Sequence, residues 1–335
     1  MSRTVRVTDM TARILITGAG GFVGPWLLRS LQAGQFSESR VLCWSGKAMD
    51  CPTESIDILS HPEVARSVKD FCPTHVVHLA ARSHVPSSFA NPERTWAVNV
   101  MGTLNLIEAV RKYAPEAGLI FAGSSEVYGR TFQKICPVDE SSPLDPLNPY
   151  AASKAAADIM AGQYATSGMR IVRVRPFNHI GPGQTEDFVA SAFAAQVARI
   201  EAGLQEPVLR VGNLDARRDF LDVRDVVRCY VLILESLTDL APGTIMNVCS
   251  GCPRSIRFLL EHLLSLTTVH IRVETDASRM RPTEIPVAAG SAEIAHRLLG
   301  WKPQIAIEET LHMLLQHWRM VVRSGSEEQD GHASA

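Results

Sequence analysis

The sequence predicts an α/β fold: a doubly wound parallel sheet with a smaller, discontinuous α/β lobe. Three observations predict it. Short β-type runs alternate with helical stretches through the first half. A glycine-rich turn joins the first run to the first helix. After Pro176 the chain breaks into shorter pieces punctuated by Pro182, Gly183, Pro207, Gly212, Pro242, Pro253, Pro282 and Pro286. Alternating β and α units specify a parallel sheet covered on both faces, because each parallel connection must cross over a sheet face and is long enough to hold a helix.

The elements follow in order. Arg13–Thr17 (RILIT) reads as a buried strand and residues 24–33 as a helix opening after the glycine turn. Residues 41–45 form a second strand, 55–59 include a short third, and 75–80 (HVVHLA) make a fourth. A long helix covers 93–113, a strand 118–123, a helix 150–167 and a strand 169–175. Residues 222–237 return to an amphipathic helix with Asp222 as its N-cap, and 244–248 add a strand to the main sheet. The expected division is a Rossmann-type dinucleotide-binding domain over 12–175, rejoined by 220–250, and a substrate-binding lobe from 176–219 and 251–322. Residues 1–11 and 323–335 are expected to be flexible, the last twelve being polar and small.

Composition excludes several classes. The chain is 46% hydrophobic and 20% charged with a net charge of −2, which argues against nucleic acid or an anionic membrane as partner. No apolar run is long enough to span a bilayer, and the first twelve residues carry no secretory leader. Seven scattered cysteines suggest reduced, cytoplasmic usage. Cys249 and Cys252 have C-x-x-C spacing, but no second pair accompanies them, so no metal site is expected.

The strongest local signal is residues 17–24 (TGAGGFVG), immediately after a strand and opening a helix. Gly18 permits a tight turn, Gly21 lets the backbone approach a pyrophosphate, and Gly24 allows close helix–strand packing. Phe22 and Val23 belong to the same cofactor-binding turn, and the helix after it offers free N–H groups and a partial positive charge to phosphates. A site preferring NAD carries an acidic residue at the end of the second strand. Here that strand ends Trp44-Ser45-Gly46-Lys47, a hydroxyl and a cation suited to a 2′-phosphate, so NADP(H) is expected, with NAD(H) as the alternative. Asp57 and Ile58 end the third strand, where an Asp can bond an adenine amino group or simply be a solvated turn carboxylate. Leu79, Ala80 and Ala81 end the fourth with side chains small enough for the backbone to run beside a cofactor, or for tight packing alone.

Ser124 and Glu126 follow the fifth strand, at the carboxyl edge where ligands of such sheets bind. Tyr150 and Lys154 open the next helix, and their i, i+4 spacing puts them on one face. A tyrosine near its reference pKa of about 10 is a poor acid–base at neutral pH. A neighbouring ammonium and a positively charged cofactor ring would lower it. Ser124 would donate to a substrate carbonyl oxygen.

These residues resemble one family, the extended short-chain dehydrogenases/reductases. The glycine motif, 78–81 (HLAA), Asn99, Ser124, Tyr150 and Lys154 fall where that family's pattern puts them, over roughly residues 13–320. The resemblance is greatest to its reductases of GDP-4-dehydro-6-deoxy-D-mannose, which form GDP-D-rhamnose. It rests on 123–129 (GSSEVYG), 175–184 (RPFNHIGPGQ), 211–225 (VGNLDARRDFLDVRD), 247–251 (NVCSG), 281–286 (RPTEIP) and 300–303 (GWKP). It implies a GDP-linked 4-keto-6-deoxy sugar as substrate, with Ser125, Asn178, Gln184, Arg218, Arg281 and Glu284 as ligands beside Ser124 and Tyr150. Two arginines suit a diphosphate and amides suit sugar hydroxyls or a guanine edge. Ion pairing with Asp219 or Glu284 is the structural reading of the arginines, and His179 serves equally as ligand or packed histidine. The resemblance also implies a homodimer through a four-helix interface.

Two other functions remain open. A GDP-mannose 4,6-dehydratase would use Glu126 as the base for the C5 proton, where a reductase would use it on a sugar hydroxyl. A non-catalytic NADP(H)- or nucleotide-sugar-binding regulator would have no need of Tyr150 and Lys154, both of which are present. A dTDP-glucose-type dehydratase needs an Asp–Glu pair where Ser125–Glu126 stands. The GDP-fucose epimerase–reductase needs a cysteine at position 126 and a histidine near 188–189, and both are lacking.

Overall fold

A computed structural model describes residues 11–279 and 285–333, with side chains to residue 324. In chain order the first half runs β1 (Arg13–Thr17), α1 (Val23–Ala33), β2 (Arg40–Trp44), β3 (Thr53–Glu54), α2 (His61–Phe71), β4 (His75–His78), α3 (Val85–Ala90), α4 (Pro92–Trp96), α5 (Thr103–Tyr113), β5 (Gly118–Ala122), α6 (Pro149–Thr166) and β6 (Ile171–Pro176). The second half runs β7 (Asn178–Ile180), α7 (Val189–Glu201), β8 (Val208–Val211), β9 (Arg217–Asp222), α8 (Val223–Ser236), β10 (Ile245–Val248), β11 (Pro253–Ser255), α9 (Ile256–Ser265), β12 (Arg272–Thr275), β13 (Val287–Ala288), α10 (Glu293–Leu299) and α11 (Ile307–Ala333).

Seven strands form the main sheet in the order β10-β6-β5-β4-β1-β2-β3, all parallel. The order reverses between β1 and β4, and a crevice opens at such a point beyond the carboxyl ends of the strands. Thr17 pairs with Trp44 on one side and His78 on the other, so the three strand ends that line this crevice are level. The period of two along β1 sends Ile14 and Ile16 into a core under α1 and α8, and Leu15 into the opposite core under α2, α5 and α6. Both faces are dry, which is why these strands read as continuous apolar runs.

The second core gathers Phe193 and Val197 of α7, Leu259 and Leu263 of α9, and Leu311, Leu315 and Trp318 of α11 around β8 and β9. The expected 251–322 boundary does not follow this packing throughout. Ala295 and Trp301 join the first core, and the Trp301 indole donates to Asp225 O of α8 at 3.0 Å.

Three other expectations are corrected. The third strand is Thr53–Glu54 rather than part of 55–59, because Asp57 bends the chain by accepting from Leu59 N at 3.0 Å. The long helix of 93–113 is interrupted by a π-helical stretch, Ala97–Gly102. Apolar periodicity does not register one extra residue per turn, whereas Thr103 Oγ1 marks it by donating to Asn99 O at 2.7 Å. The tail continues α11 to Ala333, since no proline stops a helix already anchored by Leu311, Leu314, Leu315 and Trp318. Residues 1–10 lie outside the described residues.

Candidate active site

The glycine turn fits a dinucleotide on steric grounds. Gly18 has φ +68°, and a Cβ there would lie 2.6 Å from Ala80 N. A Cβ on Gly24 would lie 2.0 Å from Ala19 O, so only glycine lets α1 leave the strand this closely. Gly21 N–H closes the turn on Gly18 O at 3.0 Å. No side chain caps α1 and its first turn has no acidic residue, which leaves its N–H groups and positive dipole end for an anion. Ser45 stands against this turn: a Cβ on Gly20 would meet Ser45 Oγ at 2.4 Å and Lys47 Cβ at 3.8 Å. Ser45 Oγ donates to Lys47 O at 2.8 Å and accepts from Lys47 N at 2.9 Å, so the two expected 2′-phosphate contacts form one small loop. Ile58 is buried against Gly102. The side chain of Asp57 is engaged in its own turn, as its second reading anticipates.

At the end of β5, Ser124 Oγ accepts from Glu126 N at 3.2 Å and caps the first of two 3₁₀ pieces that make up Ser125–Gln133, joined across a kink at Gly129; Ser125 is buried. Asn148 caps α6 by accepting from Ala151 N at 2.8 Å, and its amide donates to Glu126 Oε2 at 3.4 Å. One asparagine thus links the helix carrying Tyr150 and Lys154 to the loop carrying Glu126. Asn148-Pro149 is a legible helix start, but it was not among the expected site residues. Burial pushes the Tyr150 phenol up to about 12; the neighbouring Ser124 hydroxyl opposes that rise, and the Glu126 carboxylate adds to it. Lys154 is buried over the Phe121 ring and donates to Ala122 O at 2.5 Å. Burial pulls its ammonium down to about 8, against the opposing pull of Asp158. The expected lowering of Tyr150 by Lys154 is therefore absent in this state. Desolvation dominates, and the phenol is held protonated.

Two buried networks support the set. Ala80 N donates to Thr17 Oγ1 at 3.2 Å, and Thr17 Oγ1 meets His78 Nδ1 at 2.7 Å. His78 Nε2 meets Thr103 Oγ1 at 2.9 Å. Thr103 already donates to Asn99 O, so His78 is a donor at Nε2 and an acceptor at Nδ1, and burial holds its pKa down at about 3. The neutral ring thus ties the end of β4, with Leu79, Ala80 and Ala81, to the π-helical turn. There Asn99 brackets Arg82, accepting from its N at 2.8 Å and donating to its O at 3.2 Å, and also donates to Ser153 Oγ of α6. The second network centres on Asp158, one turn beyond Lys154. It accepts from Arg173 Nη1 at 2.9 Å and from Arg175 Nε and Nη2 at 3.0 and 3.2 Å. Sequence spacing carries no sign of this pairing, since Arg173 and Arg175 lie on a strand outside the helix.

The expected substrate ligands are less gathered. Asn178 is exposed at the start of β7. Gln184 is buried; its Nε2 donates to His179 O at 2.9 Å while Oε1 has no hydrogen-bond partner. Arg218 reaches Ile285 O at 2.7 Å, beside the stretch that contains Arg281 and Glu284, which themselves lie outside the described residues. Asp219 is not spent on Arg218: it accepts from Ser250 N and Oγ and from Gly251 N. His179 stacks on Phe22, with ring centroids 5.9 Å apart, and Trp26 Nε1 donates to Pro182 O at 3.1 Å, so residues 179–182 rest on the glycine turn and α1.

A family model described as GDP-mannose 4,6 dehydratase matches residues 15–314. The chain is 38% identical to the GDP-6-deoxy-D-mannose reductase of Pseudomonas aeruginosa over 315 residues, covering 94% of this chain and 99% of that one. It is 32% identical to GDP-mannose 4,6 dehydratase 2 of Arabidopsis thaliana, covering 77% and 69%. Among solved structures it resembles RMD from Pseudomonas aeruginosa complexed with NADPH, with TM-score 0.82, 35% identity and coverage of 92% and 99%. It also resembles the UDP-glucose 4-epimerase of Thermus thermophilus complexed with NAD, with TM-score 0.79, 29% identity and coverage of 92% and 99%. A glycine cradle at the sheet's switch point, a Ser–Tyr–Lys set at its carboxyl edge and this breadth of similarity lead to one conclusion: the chain belongs to the GDP-mannose 4,6-dehydratase-like family of extended short-chain dehydrogenases/reductases.

Proposed function

We propose that this chain reduces the C4 ketone of GDP-4-dehydro-6-deoxy-D-mannose to GDP-D-rhamnose. The observation that carries the reading is the Tyr150 side chain, buried near the head of α6 one turn before Lys154, with its hydroxyl kept protonated by that burial and Ser124 as its neighbour. Ketone reduction begins with a proton donor, whereas oxidation of an alcohol begins with a base. A reduced nicotinamide dinucleotide, its pyrophosphate held by the glycine turn, would supply the hydride. Tyr150 gives its proton to the C4 oxygen as negative charge develops there, and Ser124 donates to the same oxygen. The Lys154 ammonium offsets the phenolate left behind. Ser125, Asn178 and Gln184 hold sugar hydroxyls or the guanine edge; Arg218 and Arg281 hold the diphosphate, and Glu284 is a further substrate ligand. The buried, unpartnered Oε1 of Gln184 supports its place in that set.

The dehydratase reading has one observation in its favour, the Glu126 carboxylate close enough to Tyr150 to raise its pKa. The two readings separate in one assay. The reductase should leave GDP-mannose unchanged and oxidise NADPH stoichiometrically once the 4-keto-6-deoxy sugar is supplied, with Glu126→Gln only modestly slower. Conversion of GDP-mannose to a keto sugar without added NADPH would overturn the reductase reading. Cofactor release with no turnover of any sugar would point to a regulator instead.

NADPH is the proposed cofactor, on Ser45 and Lys47. Lys47→Ala should raise the NADPH KM by about ten-fold, the loss of one charged hydrogen bond, and leave the NADH KM within about two-fold. A higher kcat/KM with NADH than with NADPH in the unaltered enzyme would refute the assignment.

A homodimer is proposed from the outer helices. Phe89 of α3, Trp96 of α4, Met101 of the π-helical turn and Ile159 of α6 are large apolar side chains, each at least 41% exposed. α3 and α4 both pack on α6, so these residues occupy adjoining elements. Two such faces related by a two-fold axis form the four-helix contact. Sedimentation at micromolar concentration should give a dimer, and Ile159→Arg should give a monomer. A 36.6 kDa species alone for the unaltered chain would reject it.

A further inference from the structure

Cys43 and Cys51 lie at the neck of the loop that carries Ser45 and Lys47. Cys43 lies in the buried part of β2, between Leu42 and Trp44, and its N–H donates to Pro52 O at 2.9 Å, while Ser45 N–H donates to Glu54 O at 3.0 Å. These bonds hold the β2–β3 pair beside the returning end of the loop. The Cys51 and Cys43 sulfurs are 2.9 Å apart, against a bonded distance of about 2.05 Å. Cys43 is fully buried and Cys51 is half-buried, at the protein surface. Of the other cysteines, Cys229 and Cys249 are buried, and Cys72, Cys136 and Cys252 are exposed. Only the pair at the loop neck combines two sulfurs in contact with a route in from solvent.

We infer that Cys43 and Cys51 are a reversible oxidation site whose disulfide fixes the 44–50 loop and weakens binding of NADPH. The consequence for NADPH rests on the proposed roles of Ser45 and Lys47; formation of the disulfide does not. A small-molecule disulfide such as oxidised glutathione is the oxidant. The Cys51 thiolate attacks it, giving a protein–glutathione mixed disulfide and one glutathione thiolate. The Cys43 sulfur then attacks the Cys51 sulfur and expels the second glutathione. The two thiol protons leave on the two glutathiones, and the two electrons lost by the protein are gained by the oxidant. This order follows from burial, which pushes the Cys43 thiol far up and leaves Cys51 as the attacking sulfur. In the reduced loop the Ser45 hydroxyl is occupied by Lys47 O. To meet a phosphate that hydroxyl must turn away from the carbonyl and the Lys47 side chain must come to the same point, an adjustment that the loop backbone between them shares. A bond from Cys51 to Cys43 draws the loop's far end inward and opposes that movement.

The test uses the whole chain, treated with oxidised glutathione and then digested with trypsin. Cleavage after Arg40, Lys47 and Arg66 puts Cys43 and Cys51 on separate peptides, 41–47 and 48–66. The disulfide should join them as one species two hydrogens lighter than their sum, lost on reduction. Affinity for NADPH, followed by its fluorescence with no sugar present, should fall by about ten-fold in the oxidised protein and recover with dithiothreitol. Affinity for NADH should change by less than about two-fold. Cys51→Ser should match the reduced enzyme and resist the oxidant, while keeping any glutathione adducts on Cys72, Cys136 and Cys252. Absence of the joined peptide overturns the oxidation site. A joined peptide with unchanged NADPH affinity overturns the effect on the cofactor. If Lys47→Ala also leaves NADPH affinity unchanged, the failure lies in the placement of the 2′-phosphate rather than in the thiol pair.

Discussion

Tyr150→Phe should lower turnover of the keto sugar by about two to four orders of magnitude, the usual worth of a positioned general acid. The change deletes one oxygen from a ring that is 8% exposed and otherwise keeps its packing, so the helix and its Asn148 cap should survive. What is lost is the phenolic proton given to the C4 oxygen as the hydride arrives. Ser124 keeps its bond from Glu126 N and can still polarise the ketone, which is why activity should not fall to zero. NADPH affinity should stay within about three-fold, because the turn of Gly18, Gly21 and Gly24 and the N-terminus of α1 are untouched. The measurement is steady-state NADPH oxidation with the GDP-linked keto sugar, beside a fluorescence titration and a thermal melt. Near-normal turnover in a folded variant would remove Tyr150 from the mechanism.

Local signals in the sequence mark the candidate cofactor residues more sharply than the candidate substrate residues, for a physical reason. The glycine turn, Ser124, Tyr150 and Lys154 each sit where a strand ends or a helix begins, and such junctions leave marks a few residues wide. β10 beside β6 and the Asp222 cap were legible in the same way; Asp222 accepts from Arg224 N at 2.7 Å. Arg218, Gln184 and Asn178 were named by resemblance alone, because they lie along the irregular path of residues 176–219, where no strand end or helix start marks them as a set. The supports were invisible for a different reason. His78 reads as one polar residue in an apolar strand until Thr17 and Thr103 are seen on its two nitrogens. Asp158 reads as an ordinary i, i+4 partner of Lys154 on a helix face, since Arg173 and Arg175, which it binds, lie on a strand beyond that helix.

Asp158→Ala should destabilise the protein by about 3–5 kcal/mol, the cost of stranding buried charge. Asp158 is fully buried and is the anion that both Arg173 and Arg175 face. Arg173 would keep Gly243 O, and Arg175 would keep the Tyr128 hydroxyl and Glu140 O, so neither would fall free. Those acceptors are neutral, and two guanidiniums beside a buried lysine ammonium would remain uncompensated. Asp158→Asn keeps an acceptor of the same shape but also removes the charge, so it should be nearly as damaging to stability. It provides the sharper functional test. Asp158 is the charge that opposes desolvation at Lys154, whose ammonium is otherwise pulled down by burial to about 8. Without that charge the ammonium loses its proton at lower pH, and the alkaline fall in kcat should begin below its wild-type position. His78, also under the influence of Lys154, stays neutral across this range and cannot mimic the shift. Urea unfolding gives the first quantity and the pH–rate profile of the surviving folded fraction gives the second. A loss of less than about 1 kcal/mol would mean that water reaches the two arginines. An unmoved alkaline limb would mean that the titration of Lys154 does not set the rate.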